Sequence, residues 1–461
     1  PPRSTLFPYT TLFRSAAGGE VTVDFYLINE KNVRGKHQLK ISVTDSQGNI
    51  TEVGTYETEA AGGEVYGQLL VKDVKIPVPA AGGLCRIQAK LCKENSVVTT
   101  GYDDILSVNL ASNMLDGKGA VWEDGNALQN FLKGKTKEAV AAYEDNLGKL
   151  DWIMVARPPK KDQLTMVPME ALRSADGKPG LDVVYYEDME FQKEVYHEVA
   201  KVVNLSAIEG ATPSPFVYML DGYGIKWSGK ILPSVSGEYT IIPQSNDRSM
   251  IEVFVNGKKI YEITRKKEHL GDGKVYLEGG KSADIEIRFR HPRSNARCRL
   301  DWAVPNDKMP DAQRLMERAV NDGTKIFIIQ SADEWSEFIA ANSKAVFKDK
   351  FFVGTNWLGG VMFNKPHDIF KELPVGNALN WPYQALIHTG VERMGLVMEG
   401  EELLVGAYHT YPMAIGTAMG IVPMGKGSVL FSTLDIYGNI INDSAAGLVA
   451  KKLIFNMIDF K

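Results

Sequence analysis

Two apolar periods alternate along this chain, and the places where they switch constrain what it can fold into. Strand–helix–strand alternation starts near residue 118, breaks at "PPKKDQLTMVPMEALRSADGKPG" and resumes after residue 305. Such alternation builds a parallel sheet covered by helices. On the amino side, "GKGAVWEDG" is a short strand ending in a turn and "NALQNFLKG" a short amphipathic helix. "KEAVAAYEDNLGKLDWIMVARPP" then reads as a helical piece leading into a strand. On the carboxyl side, "PDAQRLMERAVNDG" predicts a helix with Leu315, Met316 and Ala319 inward and Gly323 as its stop. "TKIFIIQS" has the continuous apolar run of a strand buried on both faces. "SADEWSEFIAAN" opens the next helix with a Ser/Asp cap. "GKGSVLFSTLDI" is a further strand, and "SAAGLVAKKLIFNMIDF" a terminal amphipathic helix. One α/β domain, residues 111–180 and 305–461, is thus expected to be split by an insertion, residues 181–304.

The insertion is rich in period-2 alternation. "SMIEVFVNGKKI" alternates and carries an Asn-Gly hairpin signal; "ADIEIRFRH" and "ARCRLDW" alternate as well. A unit of this kind can fold alone, so it can sit in a surface loop of its host. Residues 16–110 form a third unit. "VTVDFYLIN" sets Val21, Val23, Phe25 and Leu27 on one face, and "HQLKISVTDSQGNI", "YGQLLVKDVKIPVP", "GGLCRIQAKLC" and "DDILSVNL" add short strands. Turn signals spaced about 8–12 residues apart predict an immunoglobulin-like β-sandwich. The fold class expected is multidomain α+β. A prior of about 150 residues per domain also gives roughly three domains.

Pro1–Ser15 fits neither period. It back-translates without a mismatch to a common short-read sequencing adapter, so it is left out of the fold expectation, and the natural start is expected to lie upstream. The net charge of −5 implies no basic face for nucleic acid. No apolar run approaches the ~20 residues of a membrane span. Cys85, Cys92 and Cys298 make no disulfide framework and are expected as buried thiols.

"IKWSGKILPSVSGEYTIIPQSNDRSMIEVFVNGK", followed by "LEGGKSADIEIRFRH" and "ARCRLDW", resembles the PA14 domain. The features that carry the resemblance are Trp227-Ser228-Gly229, Gly237-Glu238-Tyr239-Thr240, Asn246-Asp247, Val255-Asn256-Gly257, Gly280-Lys281 and Leu300-Asp301-Trp302. It implies a β-barrel-like module of a kind often inserted in glycosidases and adhesins, several of which bind carbohydrate. The flanks resemble, more loosely, the non-catalytic C-terminal part of bacterial family 2 glycoside hydrolases of the β-galactosidase or β-mannosidase kind. "TVDFYLINEKNVRGKHQLKISVTDSQG" is similar to the sandwich after their barrel. "GKGAVWE", "LDWIMVARPP", "FKELPVGNALNWPY" and "GKGSVLFSTLDI" are similar to a glutamine-amidotransferase-like α/β domain. The resemblance implies a catalytic barrel upstream in the same polypeptide, and a periplasmic or secreted bacterial location.

Chemistry of the chain's own is not expected. A retaining glycosidase needs two carboxyls about 5–5.5 Å apart; Asn29-Glu30 is an Asn-Glu dipeptide, but it reads as a polar turn after a sandwich strand. An amidotransferase needs a cysteine with a histidine base. His367, His388 and His409 lie in the α/β halves, but no cysteine does, and no G-x-S-x-G elbow occurs. Gly425 and Gly427 precede a strand, so they cannot cradle phosphate at a helix start. No H-E-x-x-H or C-x-x-C is present, and His291, beside Arg290 and Arg293, is expected at the surface. The PA14 resemblance points instead to carbohydrate contact by Asn246, Asp247 and Arg248, with Trp227 offering a stacking face. Lectin-type PA14 domains hold Ca²⁺ with two consecutive aspartates. Here an asparagine precedes Asp247, which leaves Asp247 as a calcium candidate lacking its partner carboxylate. The functional expectation is an accessory, carbohydrate-binding part of a glycoside hydrolase. The alternatives are a stand-alone carbohydrate-binding or adhesion protein and an oligomerisation scaffold whose partner is a second copy.

Overall fold

The computed structural model describes residues 14–94, 96–110, 114–159, 164–207, 222–245, 248–292, 296–305, 310–353, 360–376, 378–387, 394–410, 413–441 and 445–460. The chain is mostly β. It divides into two compact units, one of Pro1–Asn113, Lys365–Gln384 and Asn442–Lys461, the other of Met114–Asn364 and Ala385–Ile441.

The first unit is a two-sheet β-sandwich. One sheet runs in the order Arg14–Ala16, Ser96–Val108, Gly83–Lys93, Arg34–Thr44, Ile50–Ala61; the other pairs Glu20–Ile28 with Gly67–Pro77. Leu39 faces Leu91 and Val43 faces Ile87 across one sheet, and Val23 faces Val74 across the other. These side chains form the core with Phe25, Leu27, Ile41 and Ile76, so the alternation places the expected face inward, with Val21 half-buried at its rim. Arg14 and Ser15 belong to the adapter-like stretch, yet with Ala16 they line up parallel to Leu106–Val108. Edge pairing uses backbone groups, so it sets few demands on the side chains. The terminal helix Ala445–Asp459, expected in the α/β domain, groups with this sandwich. Its buried face carries Lys452 and Asn456. The Lys452 ammonium donates to Asn109 O (3.1 Å) and Glu372 Oε2 (2.6 Å), and the Asn456 amide to Ile369 O and Lys371 O (2.9 Å each).

The second unit holds the α/β sheet and the insertion. Five strands of the sheet are parallel: β1 Gly119–Glu123, β2 Ala141–Ala142, β3 Trp152–Ala156, β4 Lys325–Ile328 and β5 Gly427–Ser432. Their spatial order is β2-β1-β3-β4-β5. Antiparallel strands Ala414–Met424, Met394–Glu399 and Val346–Phe352 extend it past β5. Helix α1, Ala127–Leu132, follows β1; α2, Ala312–Asp322, precedes β4; α3, Ala332–Ala341, follows it. In α2 the Asp311 carboxylate caps the amides of Gln313 and Arg314, and Gly323 ends the helix in left-handed backbone (φ 79°). Leu315, Met316 and Ala319 are fully buried. Two expectations fail. "KEAVAAY" is not a helix. It is too short to repay nucleation, and its alanines instead pair beside β1 as β2. Ser331 does not cap α3; it sits in left-handed backbone (φ 54°, ψ 34°) with no side-chain cap bond.

The insertion is a two-layer β-domain. One sheet runs Glu194–Ala200, Leu181–Tyr186, Tyr223–Ile231, Ala283–His291, Met250–Val255, Lys258–Ile263; the other centres on Ala296–Ala303 beside Gly237–Ser245. Trp227, Phe289, Tyr239 and Trp302 fill the space between them. Asn256 (φ 49°) and Gly257 (φ 75°) make the hairpin turn the Asn-Gly pair predicted. The insertion starts earlier than residue 181, because Thr165–Met166 pairs with Asp301–Trp302 and Leu172–Arg173 with Lys230–Ile231. Strands two residues long have no alternation to read. No helix among the described residues is long and apolar enough to cross a membrane.

Candidate functional site

Tyr186, Gly224, Arg290 and Met250 lie side by side on four neighbouring strands at one end of the insertion's larger sheet. The loop before Met250 holds the residues singled out by sequence. Asn246 and Asp247 lie outside the described residues. Arg248 is exposed in left-handed backbone (φ 76°), and among the described residues its guanidinium has no ion pair or hydrogen bond. Trp227 is elsewhere. It is 3% exposed, with its ring edge-on to Phe289 at 6.2 Å, so its face belongs to the core and not to this loop. The structure therefore brings Arg248 to the loop end and leaves Trp227 behind it.

His291 corrects the surface expectation. It is fully buried, stacked on Phe289, with Nδ1 3.1 Å from Ser249 Oγ. Ile285, Ile287 and Phe289 precede it at intervals of two and are buried too, so the phase of the strand already pointed it inward.

Sequence reasoning missed the facing loop, residues 187–193. The Asp188 carboxylate accepts the amides of Glu190 (2.7 Å), Gln192 (3.1 Å) and Lys193 (2.6 Å), and Arg290 Nε donates to Met189 O (3.1 Å). This fixes Phe191 in left-handed backbone (φ 60°) with its half-buried ring against Gly224. Tyr186 meets the ring edge-on at 5.3 Å. Lys226 Nζ and Arg290 Cζ lie 5.6 and 4.7 Å from its centre. Glu252 pairs with Arg290 (2.9 Å) and Lys259 (3.1 Å). Burial would raise the Glu252 carboxyl, but the bonds from Arg290 and Lys259 prevail and hold it below the usual carboxylate range. A glycine inside a strand, Gly224, was the available signal.

The α/β sheet offers a second polar cluster. In the order 2-1-3-4-5 the chain reverses direction between β1 and β3, and ligands of open α/β sheets bind outside the carboxyl ends at such a point. Here Asp124, after β1, meets Arg157, after β3, at 2.5 Å. Thr165, in the root of the insertion, donates to the other Asp124 oxygen at 2.6 Å. The crevice position is thus taken by the chain's own stem. Next to it, Glu123 accepts the amides of Leu128 and Gln129 at the start of α1 and the Tyr437 hydroxyl (2.9 Å). Burial pushes the Glu123 carboxyl up, against those donors, and nearby Glu170 adds to the shift. Ser331 stands at the bend between β4 and α3, where a nucleophile would be displayed. No histidine among the described residues hydrogen-bonds to it. Among the described residues no group of three or more His, Cys, Asp or Glu side chains could hold a metal ion.

A family model described as the PA14 domain matches residues 177–314. The chain is similar to the anti-sigma-I factor RsgI3 of Acetivibrio thermocellus, 27% identical over 127 residues, which is 27% of this chain and 19% of that protein. Among solved structures it is similar to a β-glucosidase from Kluyveromyces marxianus (TM-score 0.32, 12% identity, 49% of this chain and 30% of that one). It is also similar to a PA14 sugar-binding domain from an RTX adhesin (TM-score 0.22, 14% identity, 27% of this chain and 88% of that one). The match covers most of the two-layer insertion and ends in the first turn of α2, and residues 177–314 are a PA14 domain carried within a larger, mostly β chain.

Proposed function

We propose that this chain is an accessory, carbohydrate-binding part of a larger glycan-acting protein, and that the loop end of the PA14 domain makes the contact. The observation that carries the reading is Arg248. An exposed guanidinium with no partner among the described residues, on left-handed backbone at the PA14 loop end, is a set of donors directed outward. In this reading the β-sandwich is immunoglobulin-like, the split α/β domain is amidotransferase-like, and the parent is a family 2-like glycoside hydrolase exported from a bacterial cell. The α/β domain serves as a mount, because its crevice is filled by Asp124, Arg157 and Thr165. Titration of the full chain with galactose- and mannose-based oligosaccharides tests this. Saturable binding that weakens in Arg248→Ala supports it; no binding to any of them refutes it.

A second reading is favoured by the match to an anti-sigma factor: the same glycan-recognising module serving a regulatory protein instead of an enzyme. Long-read sequencing across the DNA upstream of Ala16 separates the two. A barrel with a glutamate pair supports the hydrolase, and a regulatory domain supports the second reading.

A further inference from the structure

We propose that Phe191 is a second contact point for an oligosaccharide, the platform for another pyranose residue of the chain held at Arg248; this rests on the carbohydrate reading above. A bulky residue at φ 60° is a backbone outlier with a steric cost. Such a cost persists where the surroundings over-determine it, and here they do. The Asp188 carboxylate gathers three loop amides, and Arg290 ties down Met189 O. Gly224 completes the arrangement, since a Cβ there would stand 2.6 Å from Phe191 Cε1. All this anchoring holds the ring at the surface, half-buried, when the core lies one residue away on either side of Gly224. An aromatic locked at the surface is a rigid apolar face that loses little entropy on binding.

The polar groups beside the ring suit a sugar. The Lys226 ammonium has no carboxylate partner among the described residues, so its donors are open to hydroxyls. Arg290 keeps its guanidinium against the ring while paired with Glu252, which adds an acceptor. With these cations over the ring, a pyranose offers hydroxyls to them and C–H bonds to the part of the ring left exposed. The spacing fits a chain of sugars. Gly224 and Met250 flank Arg290 on neighbouring strands, two strand spacings apart, or about 10 Å. Arg248 lies two residues before Met250. That separation exceeds one strand spacing, so Arg248 and Phe191 address different residues of one oligosaccharide and not a single sugar.

The test is calorimetric titration of the full chain with a monosaccharide and with di- and trisaccharides of the same sugar. Wild type should bind the trisaccharide more tightly than the monosaccharide. Phe191→Ala should lower that ratio about 2- to 10-fold, the range for one aromatic contact, and Phe191→Tyr should restore it. Lys226→Gln, which leaves the strained loop intact, should lower the same ratio, so the inference stays testable if Phe191→Ala unfolds. An unchanged ratio in both variants at unchanged melting temperature overturns the inference and leaves the Arg248 reading standing. Absence of any sugar binding by wild type overturns both.

Discussion

Replacing Asp124 by alanine should destabilise the PA14-bearing unit by about 4 kcal/mol. The Arg157 and Asp124 side chains are only 10% and 11% exposed. Removing one partner of a buried pair leaves the other charge uncompensated, at a cost of about 3–5 kcal/mol. Thr165, 3% exposed, also loses the 2.6 Å acceptor of its hydroxyl and keeps only Trp302 O at 3.4 Å, worth about 1 kcal/mol. Arg157 retains the Trp122 ring at 5.6 Å and Pro158 O at 3.3 Å, which offsets part of the loss. At roughly 2–4 °C per kcal/mol, the melting temperature should fall by about 8–16 °C. Urea unfolding followed by tryptophan fluorescence reads this locally, because the Trp335 indole donates to Arg157 O at 2.7 Å. The double variant Asp124→Leu/Arg157→Met removes both charges and should recover most of the loss. A single-variant loss below about 1 kcal/mol, or a double variant no better than the single, would refute a buried ion pair at the root of the insertion.

Ser331→Gly should stabilise the protein by about 1 kcal/mol, because glycine relieves left-handed backbone; a loss in thermal denaturation would mean the hydroxyl has a partner that matters. Burial pushes the Tyr143 hydroxyl up to about 12. The folded state therefore holds its proton longer than the unfolded chain: the Tyr143 contribution to stability is intact below pH 10 and falls between pH 10 and about 12, at about 1.4 kcal/mol per unit. Tyr185, Tyr223 and Cys298, also raised by burial, act in the same direction; a melting temperature that stays flat up to pH 11.5 would contradict this, and Tyr143→Phe should shallow the slope. Asn246→Asp restores two consecutive aspartates and should make glycan binding calcium-dependent, read as loss of binding on adding EDTA; identical titrations with and without EDTA would argue against a PA14-type ion site.

What the sequence made legible was local. Period-2 alternation placed Val23, Phe25 and Leu27 in one core, and Ile285, Ile287 and Phe289 in another. Gly323 and the Asn256-Gly257 pair told where a helix stops and a hairpin turns, since both positions need positive φ. His291 was legible too, and was misread because its charged neighbours were weighed above its phase. What stayed hidden was non-local. Thr165–Met166 is too short to alternate, and becomes a strand only because Asp301–Trp302 lies beside it. The antiparallel extension of the α/β sheet depends on close approaches such as Phe351 over Gly395, between strands more than forty residues apart. Phe191 gave no signal of its own, because its strain is imposed by Asp188 and Arg290 and permitted by Gly224.

The root of the insertion connects these observations. A doubly wound sheet presents its binding position where β1 and β3 diverge, and the sequence places Asp124 and Arg157 there. Left open, that pair would be a polar crevice ready for a ligand. Thr165 closes it on the Asp124 carboxylate, and two residues on, Val167 already belongs to the core of the insertion. The crevice therefore holds a stalk in place of a ligand. If the loop end binds an oligosaccharide through Arg248 and Phe191, as proposed, it gains from this, because such recognition depends on how rigidly the two contacts are held relative to each other. In that reading the α/β sheet contributes to binding through stiffness at the base of the PA14 domain, which predicts that loosening Asp124 weakens oligosaccharide binding without any contact between Asp124 and the sugar.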